Sequence, residues 1–195
     1  LKWAQSEDGF ISPVNQKNGE IFWITSTESR QITHKWRSEE DTIAVGINTI
    51  YKDNPELTTR YWNGKSPTPI IIDPNNRIKP NSKVLKKHNK IHHFIDKKIK
   101  INNKHSIHIN FKKSIHELLN NLHENKVNSI LVEGGRKTIQ KFIDYNFWDE
   151  ARCFVGKKKI YDGIKAPEIK NKEWIKKTIS TDLLYSIINY SPNKL

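Results

Sequence analysis

The stretch ILVEGGRKTIQKFIDYNF, residues 130–147, changes its apolar period at a single point. Ile130, Leu131 and Val132 run together as in a buried strand, and amphipathic residues at helical spacing follow. Between the two stand Glu133, Gly134 and Gly135. A strand that passes through a short glycine turn into a helix is the repeating unit of α/β folds, so this junction restricts the chain more than any other stretch. A tight turn and a phosphate-binding loop both suit it, and by itself it does not choose between them.

The same alternation recurs along the chain. LKWAQS (1–6) reads as a short buried strand stopped by the turn signal Asp8-Gly9, and a polar loop with Asn15, Asn18 and Gly19 leads into IFWITS. From Ser26 the pattern is helical, with Ser and Thr able to cap and Glu28 in the first turn. TIAVGINTI (42–50) is a second strand, IIID (70–73) a third, and KIHHFID and SIHINF a fourth and fifth. SIHELLNNLHEN (114–125) is a helix with Ile115, Leu118, Leu119 and Leu122 on one face. SILVE is the sixth strand, RKTIQKFIDYNF the next helix and EARCFVG the seventh strand. The tail EWIKKTISTDLLYSIINY alternates around a Ser-Thr-Asp break, as a terminal antiparallel hairpin does. The expected class is therefore α/β: a central, mostly parallel sheet with flanking helices, a hairpin at a mixed edge, and one domain over residues 1–195.

Composition narrows the function. The chain has 195 residues, 35% of them hydrophobic, and no apolar run near the roughly 18 residues of a membrane span. The lone cysteine, Cys153, excludes an internal disulfide and a multi-cysteine zinc site; it reads as a small buried strand residue and fits a reducing cytoplasm. Net charge is +13, but 28 of the basic residues are lysines scattered along the whole length, without a block interleaved with stacking aromatics. That pattern argues for a solvated lysine surface that steers anionic small molecules rather than for a nucleic-acid module. The chain opens on Leu1 and contains no methionine, so a fragment or a processed product is expected.

Three strand ends carry the residues of chemical interest: GINTIYKDNPELTTR, DPNNR and EGGRKT. Ligands of parallel sheets sit at the carboxyl ends of the strands, and the amides that open the helix after EGG suit a phosphate. Arg37 and Arg60 stand out in a lysine-rich chain as bidentate grips for phosphate or carboxylate; surface pairing with Glu39 or Glu56 is the plainer alternative. No metal is expected. HELLNNLH places His116 and His123 seven apart rather than at the i, i+4 spacing of a zinc helix, and His92, His93, His105 and His108 have no carboxylate or cysteine cluster nearby.

Together, LKWAQSEDGFIS, WITSTESRQITHKWRSEEDTIAVGINTIYKDNPELTTR, IIIDPNNRI and ILVEGGRKTIQKFIDYNFWDEARCFVGKKKI resemble the reductase domain of the riboflavin-biosynthesis pyrimidine deaminase/reductase, with its dihydrofolate-reductase-like fold. The resemblance implies NADPH-dependent reduction of 5-amino-6-(5-phosphoribosylamino)uracil, hydride going to C1′ of the ring-opened imine. It implies NADPH contacts from Gln5, Trp23, Thr49, Asp53 and the segment Gly135 to Lys141, which includes Arg136, Lys137 and Thr138. Substrate contacts fall to Ile21, Arg37, Leu57, Arg60 and Glu133, with Lys2, Asp53 and Glu133 as the candidates for proton transfer. It also implies a homodimer and, in the full-length protein, an N-terminal deaminase domain that these residues do not include. Pro74 stands where the family often has a serine, which removes a hydroxyl contact to the cofactor. A related reductase acting on a pterin, a folate or the undeaminated pyrimidine is the nearest alternative.

Overall fold

In the computed structural model, residues 1–100, 106–111 and 114–193 are described. The apolar runs form a five-stranded, wholly parallel sheet: β3 (Thr42–Gly46), β4 (Thr68–Ile72), β5 (His92–Asp96), β6 (Ser106–Ile109) and β7 (Ile130–Val132), in the order β6-β5-β4-β3-β7. Successive side chains of a strand point to opposite faces, and here both faces are covered. Ala44, Ile70 and Phe94 pack on one side with Leu118 and Leu122 of α4 (Ser114–Glu124) and Ile139 and Phe142 of α5 (Arg136–Asp144). Ile43, Val45 and Ile71 pack on the other with Ile47 and Ile50 of α2 (Ile47–Asp53) and Val84 of α3 (Lys83–Lys87). None of the helices among the described residues is long and apolar enough to cross a membrane.

A second sheet has the order β1-β8-β11-β10, from β1 (Lys2–Ser6), β8 (Glu150–Gly156), β10 (Ile175–Ile179) and β11 (Asp182–Ile188). β1 runs parallel to β8, whereas β11 is antiparallel to both of its neighbours. The expected terminal hairpin is thus present, turning at Ser180 with φ 52°, and it extends the sheet that holds the N-terminal strand. A small ribbon of β2 (Phe10–Pro13) and β9 (Gly163–Lys165) completes the strands. The sequence reading anticipated neither these two nor α3; all are five residues or shorter, too brief to establish a period. His105, expected with His108 in a strand-like segment, lies outside the described residues.

One boundary differs in a way that matters for the site. The second strand, expected over 42–50, ends at Gly46, and Ile47–Asp53 is helix. Val45 and Ile47 alternate as in a strand, but Ile47 and Ile50 also share one helical face, and burial of that face beside β3 and β4 selects the helix. Gly46 makes room for the change: a Cβ there would stand 2.6 Å from Thr138 Oγ1 of α5. α2 then closes on Asn54, which takes a left-handed C-cap with φ 40°.

α1 (Thr27–Glu39) starts on Ser26, whose hydroxyl accepts the Ser29 amide at 3.3 Å. Its buried residues are polar: Thr33 and His34 line a cleft, and Ser29 faces Asp182 of the hairpin. Asp182 of the hairpin holds the helix start: its Oδ2 accepts the Ser26 amide at 2.8 Å and the Ser29 hydroxyl at 2.6 Å.

Candidate active site

Two cavities adjoin at the carboxyl ends of β3 and β7. The first, about 500 Å³, runs from Gly46 and the start of α2 (residues 47–49) to Gly135 and the start of α5 (residues 136–138, with Lys141), with Pro74, Phe111 and Ile115 along its wall. The second, about 460 Å³, lies between β1, α1 and residues 53–61, and includes Lys2, Trp23, Arg37, Leu57, Arg60 and Glu133. Ile21, Thr49, Asp53 and Gly135 line both. The Gly135 amide donates to Thr49 Oγ1 at 3.1 Å, tying the start of α5 to α2 where the cavities meet.

The charged centre of the second cavity is a pair. Arg37 Nε and Nη2 donate to the two Glu133 carboxylate oxygens, each at 2.8 Å, and Nη1 donates to the Thr58 carbonyl at 3.0 Å. Side-chain exposure is only 12% for Arg37 and 8% for Glu133, so water screens the pair poorly. Burial by itself raises the Glu133 pKa, but Arg37 and Lys2 outweigh it and hold the carboxyl at about 2. Lys2 shows the opposite balance: burial, helped by Arg37, pushes its pKa below the ordinary lysine value against the pull of Glu133. Asp53 is raised by burial, with Gln16 Nε2 donating to it at 3.0 Å. The second cavity therefore holds a fixed carboxylate, an ammonium that gives up its proton more readily than usual, and, at its border with the first, a carboxyl that keeps its proton more readily.

Most of the residues singled out from sequence meet here. Arg136, Lys137 and Thr138 line the first cavity, and Lys2, Arg37, Leu57, Arg60 and Glu133 the second. Leu57 is buried in the left-handed region, φ 56°, where the chain bends along the cavity wall. Trp23, placed by the resemblance at the cofactor, lines the second cavity, and Arg30 covers one face of its ring at 4.3 Å from the centroid. Gln5 lines neither cavity. Its side-chain oxygen accepts the Trp3 indole N–H at 2.9 Å and the Cys153 thiol at 3.4 Å. Arg60 is 4.0 Å from Glu56, the surface pairing weighed above, and also lies over Tyr61. His93, one of the histidines set aside as metal ligands, bonds Asp73 Oδ2 and Ser106 Oγ, each at 3.2 Å.

Sequence reasoning passed over Gln16, Phe22, Lys52 and His34. His34 lay within reach, being one helical turn from Arg37 and so on the same face. Gln16 did not, since a loop glutamine gives no pattern before the chain closes over α2.

The profile of the RibD C-terminal domain family matches residues 1–160. The chain belongs to the RibD C-terminal domain family. The riboflavin biosynthesis protein RibD of Aquifex aeolicus is 32% identical over 177 residues, 87% of this chain and 49% of its own length. A 5-amino-6-(5-phosphoribosylamino)uracil reductase of Buchnera aphidicola is 31% identical over 65% of this chain and 70% of its own length. The chain spans about half the length of the RibD proteins it matches. The crystallised deaminase/reductase of Thermotoga maritima superposes with a TM-score of 0.80 over 96% of this chain and 55% of its own, at 24% identity. Enterococcus faecalis dihydrofolate reductase, complexed with NADP(H), shares the fold with a TM-score of 0.58 over 97% of this chain and 95% of its own, at 13% identity. The RibD C-terminal domain is thus a dihydrofolate-reductase-like α/β fold, as the resemblance implied.

Proposed function

We propose that this RibD C-terminal domain reduces 5-amino-6-(5-phosphoribosylamino)uracil to the ribitylamino product with NADPH, the dinucleotide in the first cavity and the pyrimidine in the second. The observation that carries the reading is the shared border: Thr49, Asp53 and Gly135 belong to both cavities, with Lys2 and Glu133 beside them in the second.

The first cavity fits a dinucleotide. α5 has Gly135 at its N-cap and no side chain capping it, so its opening amides are unclaimed by a cap and face an anion favourably. Lys52, Lys137 and Lys141 add positive charge along the same wall, while Phe111, Ile115 and Leu118 offer an apolar surface for a ring. Bound there, the reduced cofactor supplies a hydride.

The residues of the second cavity account for the remaining needs. Ring opening requires a proton at the sugar ring oxygen and loss of one from the exocyclic nitrogen; reduction of the resulting C=N bond places hydride on C1′ and a proton on nitrogen. Lys2, whose pKa burial lowers, is the proton donor in this reading, and Asp53 serves the cofactor side of the border. Glu133 stays ionised against Arg37 and orients the substrate by accepting hydrogen bonds. Because Arg37 is engaged with Glu133 and Thr58, the phosphate falls first to the exposed Arg60 and Lys83. The reading extends to a homodimer, which the mass of the purified protein in solution checks, and to a deaminase domain elsewhere in the full-length protein.

The test is NADPH oxidation by the purified chain with the deaminated and undeaminated pyrimidines supplied separately. Oxidation with the deaminated form supports the assignment; oxidation with neither overturns it. The undeaminated form is the second reading, because the relative of Archaeoglobus fulgidus, 28% identical over 78% of this chain, is named a 2,5-diamino-6-ribosylamino-4(3H)-pyrimidinone 5′-phosphate reductase.

A further inference from the structure

His34 lines the second cavity, is 4% exposed, and has no task in the chemistry above. Its two ring nitrogens differ. The Tyr61 amide points at Nδ1 over 3.5 Å, a long hydrogen bond in which the amide can only donate. Nδ1 therefore presents its lone pair, and a neutral ring then carries its proton on Nε2. Nε2 makes no hydrogen bond with the described residues. Nor is it sealed inside the protein: among the described residues, the buried side-chain polar atoms without a partner are Thr58 Oγ1 and Asp73 Oδ1. Nε2 thus keeps some exposed surface, and the ring that carries it lines the second cavity.

The ring is held in place and kept uncharged. Tyr61 meets it edge to face with centroids 4.8 Å apart. Burial first, then Arg37 and Arg60, push its pKa down to about 3, against the pull of Glu133. The cavity already contains the cations Lys2, Arg37 and Arg60. A neutral donor of fixed direction adds what they lack, which is orientation without further charge.

We propose that His34 is a substrate-positioning residue whose Nε2–H donates a hydrogen bond to an acceptor oxygen of the phosphorylated pyrimidine in the second cavity. This rests on the reading that the second cavity takes that substrate.

Two substitutions separate this role from a structural one. The side-chain amide of His34→Asn reaches the position of Nδ1, so it can keep the Tyr61 contact while removing the donor from the cavity. That of His34→Gln reaches the position of Nε2 and restores a donor there. KM and kcat are measured with 5-amino-6-(5-phosphoribosylamino)uracil at saturating NADPH, and binding of the same compound without NADPH is followed by tryptophan fluorescence. His34→Asn is expected to raise KM and Kd by about five- to tenfold, with kcat altered by less than about twofold. His34→Gln is expected to recover most of the lost affinity. Wild-type affinity in His34→Asn, or a Gln variant as weak as the Asn variant, overturns the proposal, as does an imidazole that titrates by NMR between pH 5 and 8. A wild-type protein that neither binds nor reduces the compound overturns the functional reading and this inference together. Wild-type turnover with undiminished affinity in His34→Asn overturns the inference alone.

Discussion

Arg37 of α1 and Glu133 at the end of β7 stand 96 residues apart in sequence and meet through two hydrogen bonds of 2.8 Å. The pair joins the helix over the second cavity to the strand end that begins the EGG turn, so the same contact shapes the site and braces the fold.

Glu133→Gln leaves Arg37 buried without a counter-charge, and a loss of about 3 kcal/mol of unfolding free energy near pH 7 is expected. The pH dependence has a definite sign. The carboxyl titrates at about 2 in the folded protein against an ordinary 4.5, so its contribution is complete above pH 4.5 and disappears as pH falls toward 2. Urea titrations across that window should show wild type losing stability and the Gln variant losing less. Unchanged turnover at saturating substrate would remove Glu133 from the chemistry.

Lys2→Met removes the proposed proton donor, and kcat should fall by roughly 10²-fold or more. In the wild type, activity that needs the protonated amine falls as pH rises through the Lys2 pKa. Burial places that limb below the ordinary 10.5. A pH–rate profile of both proteins checks this, and wild-type kcat in the Met variant would exclude Lys2.

Asp182→Ala deprives the start of α1 of two hydrogen bonds to a buried carboxylate. A loss of about 2–3 kcal/mol is expected in chemical denaturation. KM for the pyrimidine should rise as well, since α1 carries His34 and Arg37. A variant with weakened stability and unaltered KM would show that the hairpin supports the helix without tuning the site.

Gly134 and Gly135 have different reasons to be glycine. A Cβ at 134 would stand 2.8 Å from Thr138 Cβ, whereas one at 135 would meet nothing closer than Thr49 Oγ1 at 3.5 Å. Gly134→Ala should lower the melting temperature, with overpacking costing about 1–3 kcal/mol. Gly135→Ala should melt near wild type yet bind NADPH about tenfold more weakly, because Gly135 lines both cavities. Calorimetry of both variants tests the division, and wild-type NADPH affinity in Gly135→Ala would remove that glycine from the cofactor site.

The strands and long helices were legible because their periods are local. Ile130–Val132 and the α5 face are readable from the residues themselves, and so is the Ser26 cap of α1. Gly46 shows the limit: TIAVGINTI satisfies both a strand and a strand followed by a helix, and only packing against Thr138 and the second core cluster distinguishes them. For the site, the family resemblance singled out Lys2, Thr49, Asp53 and Glu133, and Arg60 stood out besides as an arginine in a lysine-rich chain. It did not reveal that Arg37 grips Glu133, that Gln5 turns to Trp3, or that Gln16 bonds Asp53.

By itself, then, the chain's order of residues determined the α/β class, the EGG junction and the set of polar groups gathered at the strand ends, since periodicity, capping and turn chemistry act over a few neighbours. The tertiary structure decided which of those groups are paired, which are free and which are neutral. Hydrogen bonding and desolvation depend on distances between residues such as 37 and 133, or 34 and 61, that exist only once the chain has closed on itself.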